Sequence, residues 1–323
     1  MRLAIAATGS YAPEKRISND ELAQRLDTSD EWIFSHTGIR YRHMIADDQS
    51  NSDMAFAAAK AALDRAEVDP KDLGSIVVAT CTPDFGGFPA TACIVQDKLG
   101  ATDVASLDVS AACSGFIYGL HVASGLAVSD PRPQLIIGSE VLTRVVNWED
   151  RNTCVLFGDG AGAVVLKNDE SGERGIIDSH LGADGTGAMY LNLEGGTRAG
   201  QPAVTGDRPY LGMDGRSVFN FAVKTIVKVI KHFLEKHNLT PDDVKYIVPH
   251  QANYRIIRAA ASRQPIPEEK FYLNIEEYAN TSAASIPIAL DEMNRAELLN
   301  PGDLIITVGF GAGLTYGGNL IRW

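Results

Sequence analysis

The sequence predicts an α/β protein built from two halves of like topology. A helix-turn-strand unit occurs twice, over residues 53–78 and 217–248, and its prolines, Pro70 and Pro241, align at one offset. The apolar runs that follow are continuous, which is typical of strands in a sheet covered on both faces. With 323 residues, 45% of them hydrophobic, the chain can bury one large core or two linked ones. This composition excludes a disordered, collagenous or coiled-coil protein.

The elements are expected in the same order in both halves, because apolar runs of strand length alternate with helical periodicity. The first half is predicted to contain an N-terminal strand over 1–9, a helix over 53–63, strands over 76–79, 105–109 and 134–138, and a helix opening near Cys113. The second half is predicted to contain a helix over 217–236, strands over 246–248, 271–275 and 303–309, and a helix opening near Asn280. A polar run from Lys167 to Gly175 separates the copies. We therefore divide the chain into residues 1–171 and 172–323.

Three glycine-rich segments need separate interpretation. Residues 182–216 carry no regular period and are predicted to form a long functional or interfacial insertion. The clusters at 158–162 and 309–313 resemble parts of a dinucleotide-binding loop, but each leads into a strand-like run and not into a helix. We interpret both clusters as tight turns between strands, and we do not expect nucleotide binding through them.

Charge and hydropathy limit the classes of partner. The chain has 29 Lys and Arg against 41 Asp and Glu, a formal charge of -12, so nothing draws the whole molecule to nucleic acid or to anionic lipid. The N-terminal apolar run is too short for a signal peptide, which favours a cytoplasmic protein. Residues 109–129 lack charged side chains, yet they contain several serines, a histidine and glycines. A helix buried among sheets is expected there, not a membrane span.

The cysteines indicate neither zinc nor disulfides. There are four, with no C-x-x-C pair and no histidine at ligand spacing, so no metal site is expected. Cys81, Cys93 and Cys154 are interpreted as small buried hydrophobic residues. Cys113 differs because it follows a strand and opens a helix, where the helix dipole would lower the thiol pKa and favour a nucleophile. Packing alone remains an alternative for it.

His250 and Asn280 are the polar candidates of the second half. His250 ends a predicted strand, and Asn280 opens the helix that corresponds to the one after Cys113. If the halves pack about a pseudo-twofold axis, the two helix N-termini face each other and His250 lies beside both. The carboxyl edge of an α/β sheet is where such sites form. The alternatives are a hydrogen-bonded core histidine and a helix N-cap.

Four separated motifs then carry a resemblance. They are the segments DVSAACSGF at 108–116, PHQAN at 249–253, NTSAAS at 280–285 and GFGAGL at 309–314. Together they resemble β-ketoacyl-acyl-carrier-protein synthase III of type II fatty-acid synthesis, and the likeness extends over nearly the whole chain. The resemblance implies the thiolase fold, with two α/β halves in an αβαβα order, and a homodimer. It also implies condensation of a short acyl-CoA starter with malonyl-acyl carrier protein to give a 3-oxoacyl-acyl carrier protein, with acyl-CoA as a substrate and no cofactor.

The resemblance assigns roles to the candidate residues. Cys113 would take the acyl group, with the backbone N–H groups of Cys113 and Gly311 holding the oxyanion. His250 and Asn280 would hydrogen-bond the malonyl thioester carbonyl while carbon dioxide leaves. A second catalytic cysteine would instead resemble thiolase, and a glutamate with histidine would resemble hydroxymethylglutaryl-CoA synthase. The histidine-asparagine pair matches decarboxylating condensation.

Other positions match the family's coenzyme A site. Trp32 and Arg151 match the residues that sandwich the adenine. His36 stands where family members commonly place an arginine facing coenzyme A, so binding is expected to be weaker and to strengthen as pH falls. The alternative is that His36 points inward and that Arg40 or Arg151 holds the phosphates.

The remaining matches concern the acyl pocket and the carrier protein. Phe88 resembles the residue that closes the acyl pocket across the dimer interface. Arg255, Arg258 and Arg263 lie on one side of a predicted helix after His250 and would form a positive docking face. A solvated basic face is the alternative, and Asn220 departs from the lysine that family members often carry for docking.

Two functional alternatives stay open. The first is a related condensing enzyme of secondary metabolism that uses the same three residues with another starter. The second is a non-catalytic carrier-protein-binding subunit, against which the intact set of Cys113, His250 and Asn280 argues.

Overall fold

The computed structural model describes residues 2–193 and 210–323, which form two large sheets and the helices that cover them. The strands are β1 Leu3–Tyr11, β2 Lys15–Ser18, β3 Tyr41–Met44, β4 Ser75–Ala79, β5 Ala105–Val109, β6 Gln134–Val141, β7 Asp159–Asn168, β8 Gly175–Ala183, β9 Leu191–Leu193, β10 Leu211–Met213, β11 Tyr246–Pro249, β12 Leu304–Gly311 and β13 Thr315–Arg322. The α-helices are α1 Asn19–Ala23, α2 Asp30–Thr37, α3 Asn51–Ala66, α4 Thr91–Leu99, α5 Gly115–Ser129, α6 Gly215–Lys236, α7 Tyr254–Ala261, α8 Ile275–Tyr278 and α9 Ser285–Arg295.

Each half contributes one mixed sheet. The first sheet has the order β1-β7-β6-β4-β5, in which β4 runs parallel to β5 and β6 while β7 runs antiparallel to its neighbours. The second has the order β11-β12-β13-β8, with β11 parallel to β12 and β13 antiparallel to both neighbours. Strands β4, β6 and β12 are buried along their whole length, as their continuous apolar sequences predict.

Successive side chains of a strand point to opposite faces of its sheet, and this explains how the helices and sheets are layered. In β4, Ile76 and Val78 pack with α3 and α4 on the outer face, whereas Val77 packs with α5 and α9 on the inner face. In the second sheet, Ile306 packs with α6 and α7, whereas Ile305 packs with α5 and α9. The order is therefore helix, sheet, helix, sheet, helix, as expected.

The first sheet lies very close to the central helix layer, and this contact determines where the N-terminus of α9 lies. A Cβ added to Gly138 of β6 would lie 2.2 Å from the backbone oxygen of Ala283, which precedes α9. A residue with a side chain would force these backbones apart. The N-terminus of α9 is thus held against the carboxyl ends of the first sheet's strands.

Some local predictions were wrong. Residues 271–275 do not form a strand: Phe271 makes a single bridge to Ile247, and α8 then begins at Ile275. The cluster 158–162 lies mostly within β7 and is not a turn, whereas 309–313 does end β12 and turn into β13. In the segment 182–216, β9 and β10 pair as a short antiparallel ladder, and residues 194–209 lie outside the described residues. The division at residues 171 and 172 stays a prediction.

The cysteines and the apolar helix were predicted in part. Cys154 is buried, but Cys81 is only half-buried and Cys93 is exposed, so the packing interpretation fails for Cys93. Within the described residues, one stretch, Ala112–Ser129, has the length and apolar composition of a membrane span, and half of it is buried inside the protein. Its inner face packs in the central layer through Phe116, Ile117 and Leu120.

Candidate active site

Cys113 lies in a short 3-10 turn between a strand and a helix. Strand β5 ends at Val109, the turn Ala112–Ser114 follows, and α5 begins at Gly115. Ala112 has a φ of 45°, a left-handed conformation that a residue with a side chain seldom adopts. The Ser114 hydroxyl donates to the Ala111 carbonyl at 2.8 Å and closes the turn. Cys113 is thereby held at the N-terminus of α5, 7% exposed.

The second half repeats this backbone, with a different residue at the matching place. The turn Ser282–Ala284 precedes α9, and Ser282 has a φ of 49°. The position that corresponds to Cys113 is therefore Ala283, whereas the sequence comparison matched the two helix openings at Asn280. A Cβ added to Gly115 would lie 3.4 Å from the Ala283 Cβ, so the two turns are in close contact.

Cys113, His250 and Asn280 line the same cavity, of about 140 Å³, together with Phe310 and Gly311. The prediction from the motifs is that these side chains meet where the two helix N-termini face each other. The structure brings the three residues together in that way.

His250 follows β11, and hydrogen bonds hold both its backbone and its imidazole ring. Its backbone N–H donates to the Val308 carbonyl at 2.8 Å, and its Nδ1 lies 2.7 Å from the Ser285 hydroxyl oxygen. The side chain is 1% exposed, and burial lowers the pKa of His250 to about 3. The imidazole is therefore neutral at physiological pH and carries one N–H.

Asn280 is oriented by the backbone around it. Its own N–H donates to the Leu156 carbonyl at 2.9 Å, and its carbonyl accepts from Gly158 N–H at 3.1 Å. Its side-chain Oδ1 accepts from the Ser282 N–H at 2.8 Å. The N-cap alternative for Asn280 is wrong, because Thr281 caps the turn before α9 and Ala284 caps α9. With Oδ1 engaged, Nδ2 is the end of the side chain left to donate to a ligand in the cavity.

The expected lowering of the Cys113 pKa is wrong. Burial raises the pKa of the thiol to about 12, the Ser282 hydroxyl lowers it, and the Glu140 carboxyl raises it. The desolvation cost of a thiolate outweighs stabilisation by the helix end, because nearby apolar residues replace water. At neutral pH the resting group is therefore a thiol.

Gly311 brings β12 against Cys113. A Cβ at this position would lie 2.6 Å from the Cys113 backbone nitrogen. Only glycine permits this approach, which sets the two backbones side by side at the cavity. The glycine motif at the end of β12 is the sequence signal for it.

A second cavity, of about 300 Å³, begins at the same thiol. Its lining is mainly apolar and includes Leu142, Val145 and Phe157, with Cys81 beside them. Two cavities lined by the same cysteine fit a reaction in which two substrates meet at one sulfur.

Glu140 is a site residue that the sequence reasoning missed. It is fully buried in β6 and accepts from the Cys81 N–H, the Thr82 hydroxyl at 2.6 Å and the Ser282 hydroxyl at 3.0 Å. Burial raises its pKa. A glutamate in an otherwise uncharged strand, QLIIGSEV, was the available signal. Glu140 ties the loop after β4 to the turn before α9.

The predicted coenzyme A residues lie together on the surface. The rings of Trp32 and His36 stack at 4.5 Å, and the Arg151 guanidinium lies 5.3 Å from the Trp32 ring. His36 Nδ1 also lies 2.7 Å from the Trp32 carbonyl oxygen. Arg40, the alternative phosphate ligand, pairs with two carboxylates, those of Asp30 and Glu276.

The arginines predicted to dock the carrier protein are exposed, and so is Phe88, which is predicted to close the acyl pocket. Arg255 and Arg258 lie on α7, but Arg263 lies beyond its end at Ala261, so the single-helix prediction is correct for two of the three. Asn253 caps α7 by accepting from the Arg255 N–H at 2.8 Å. Phe88 is 91% exposed in the loop before α4.

Comparison with known proteins decides the family. The family model of 3-oxoacyl-[acyl-carrier-protein] synthase III matches residues 107–185. The model of the C-terminal part of the same family matches residues 234–323. A β-ketoacyl-[acyl-carrier-protein] synthase III of Caldanaerobacter subterraneus is 50% identical, over 99% of this chain and 97% of that one. The chain belongs to the β-ketoacyl-acyl-carrier-protein synthase III family.

Solved structures agree with this assignment. The crystal structure of 3-oxoacyl-[acyl-carrier-protein] synthase III from Aquifex aeolicus VF5 has a TM-score of 0.92 and 43% identity, covering 99% of this chain and 100% of that one. A priming β-ketosynthase from the R1128 polyketide pathway has a TM-score of 0.91 and 36% identity, covering 99% and 96%. The predicted thiolase fold is confirmed, and the protein is a condensing acyltransferase.

Proposed function

We propose that this enzyme condenses a short acyl group from acyl-CoA with malonyl-acyl carrier protein, releasing coenzyme A and carbon dioxide, to initiate fatty-acid synthesis. The observation that carries the proposal is the convergence of Cys113, His250 and Asn280 on one cavity, with a second, apolar cavity beginning at the same sulfur. The product is a 3-oxoacyl-acyl carrier protein.

In the first half-reaction the acyl group moves from coenzyme A to Cys113. The neutral His250 accepts the thiol proton while the sulfur attacks the thioester carbonyl, so that no free thiolate has to form first. Backbone N–H groups of Cys113 and Gly311 hold the oxyanion; one such donor is typically worth about 3 kcal/mol in the transition state. The intermediate then expels coenzyme A, whose sulfur takes the proton back from His250. The acyl chain occupies the apolar cavity.

In the second half-reaction the malonyl thioester loses carbon dioxide. The His250 and Asn280 side chains donate to its carbonyl oxygen, and the electron pair of the breaking carbon–carbon bond forms an enolate. The enolate carbon attacks the acyl group on Cys113, and the thiolate that leaves takes one proton from solvent. No base is needed to remove an α-proton, because carbon dioxide is the leaving group.

Surface residues support binding of coenzyme A and of the acyl carrier protein. Trp32, with Arg151 and His36 against it, offers a flat platform for the adenine of coenzyme A. The exposed Arg255, Arg258 and Arg263 would attract an acidic carrier protein to an enzyme whose overall charge is negative. Acyl-CoA is a substrate here, and we propose no resident cofactor or metal. Among the described residues, no group of three or more His, Cys, Asp or Glu could hold a metal ion.

A homodimer in the cytoplasm is part of the proposal. Strand β5 is an edge of the first sheet, and its residues are half-exposed although the strand beside it is buried. An unpaired edge of this kind favours pairing with a second copy. Phe85 and Phe88, 52% and 91% exposed, lie in the nearby loop, and Phe88 would close the partner's acyl cavity.

The proposal is tested with a panel of acyl-CoA starters and malonyl-acyl carrier protein, followed by mass analysis of the products. We expect 3-oxoacyl-acyl carrier protein with a short-chain starter. Products formed only with starters of another type would favour a condensing enzyme of secondary metabolism. Carrier binding without acylation of Cys113 would mean a non-catalytic subunit.

A further inference from the structure

The two proposed half-reactions make opposite demands on one nitrogen. During acyl transfer, His250 Nε2 must accept the proton of a thiol. During decarboxylation, the same nitrogen must donate to a carbonyl oxygen. A neutral imidazole meets the first demand when its proton is on Nδ1 and the second when its proton is on Nε2.

Ser285 is the residue that controls Nδ1. It is 2% exposed, it begins α9, and its hydroxyl oxygen lies 2.7 Å from His250 Nδ1. The hydroxyl donates to the Ser282 carbonyl at 2.9 Å and accepts from the Gln251 N–H at 3.3 Å. When this single proton is directed at the Ser282 carbonyl, the serine can only accept from Nδ1. In that arrangement the imidazole carries its proton on Nδ1 and presents a bare Nε2.

The alternative arrangement needs only a rotation of that hydroxyl. If the Ser285 hydroxyl turns to donate to Nδ1, the imidazole proton must be on Nε2. The Ser282 carbonyl keeps a partner, because the Ser285 backbone N–H also donates to it. Nδ1, the Ser285 hydroxyl and the Ser282 carbonyl each keep a hydrogen-bond partner in both states, so the exchange leaves none of these three groups unpaired.

We propose that Ser285 is a positioning residue that sets the tautomer of His250, holding Nε2 as an acceptor for acyl transfer and releasing it as a donor for decarboxylation. This inference rests on the proposed function. It predicts that the two half-reactions respond differently to loss of the hydroxyl.

The first test compares half-reaction rates of Ser285→Ala, Ser285→Thr and wild type. Without the hydroxyl, a proton on Nδ1 has no partner, and the imidazole favours the Nε2–H form. Acyl transfer to Cys113 should fall about 100-fold, the scale of lost general-base catalysis. Release of carbon dioxide from malonyl-acyl carrier protein, measured on enzyme acylated to completion beforehand, should change less than about threefold. Ser285→Thr keeps a hydroxyl and should restore the wild-type ratio of the two rates.

Ser75→Ala is the matched control. Ser75 is equally buried and its hydroxyl bonds to Gln134, far along the chain from His250. Its loss should lower both half-reactions equally or not at all. Equal losses in Ser285→Ala would overturn the proposal and leave the serine a structural role.

The second test reads the tautomer directly, without turnover. Nitrogen-15 NMR of the histidine-labelled enzyme, with His250→Asn to assign the signals, should find Nδ1 protonated in wild type and in Ser75→Ala. In Ser285→Ala the proton should be on Nε2. An unchanged tautomer contradicts the proposal even if activity falls. A wild type that fails to acylate Cys113 would instead contradict the proposed function, while the NMR result would still report on Ser285.

Discussion

The two turns that meet at the centre of the molecule share a backbone and differ in chemistry. Both are 3-10 turns whose first residue, Ala112 or Ser282, has a positive φ, and each leads into a central-layer helix. The first presents a thiol in apolar surroundings. The second presents a network in which Asn280, Ser282 and Ser285 orient hydrogen-bond donors and acceptors.

This difference teaches how a duplicated scaffold can carry two unlike steps. The repeated topology supplies two facing helix N-termini, and the side chains on the two turns then serve different steps. In the proposed mechanism, the first turn offers a nucleophile and the second supports the groups that stabilise charge. Each step should therefore be separable by mutation.

Cys113→Ser should have the largest effect. Replacing the sulfur with a poorer nucleophile should lower acyl transfer by at least about 10⁴-fold, because no other group takes the acyl chain. Release of carbon dioxide from malonyl-acyl carrier protein should continue, since the second turn is intact. Cys93→Ser, at an exposed cysteine on α4, is the control and should acylate normally. Intact-mass measurement after mixing with acetyl-CoA checks this.

Asn280→Ala should show the reverse pattern. Removing one donor to the enolate oxygen should lower carbon dioxide release by about 10²- to 10³-fold, whereas acyl transfer should stay within about threefold. Single-turnover assays of the two half-reactions check it. Normal carbon dioxide release would refute the assigned role of Asn280.

Gly311→Ala should impair the first turn without touching its thiol. The added Cβ would lie 2.6 Å from the Cys113 nitrogen, so the oxyanion donors must shift, which should cost about 100-fold in acyl transfer. Gly125→Ala is the control: it lies in α5 with open space around it, and should raise stability by up to about 1 kcal/mol. Acyl transfer rates and denaturant unfolding of both variants test the contrast.

The thiol of the first turn should also respond to pH as a protonated group. Because the pKa of Cys113 is raised to about 12, the thiolate fraction should increase about tenfold for each unit of pH from 7 to 9. Alkylation of Cys113 by iodoacetamide, followed at the peptide level, should rise in proportion without a plateau. A plateau in this range would mean that the helix N-terminus does lower the pKa, as the sequence suggested.

The sequence predicted which residues meet at this site better than it predicted the pKa of Cys113. Motifs at strand ends and helix starts, together with the family resemblance, led to the expectation that Cys113, His250 and Asn280 meet in one place. The pKa of Cys113 depends on burial by segments far apart in the chain, so local sequence misjudged its direction. Likewise, Glu140 and Ser285 act through contacts with residues that only folding brings near.

The most direct test of the account locates the acyl group and follows its fate. Wild type and Asn280→Ala are mixed with acetyl-CoA, chased with malonyl-acyl carrier protein, and analysed by peptide mass spectrometry. We expect acetyl on Cys113 in both proteins before the chase, and after it only in Asn280→Ala, with 3-oxoacyl-acyl carrier protein formed by wild type alone. Acetyl on another residue, or equal discharge from both proteins, would contradict the central claim.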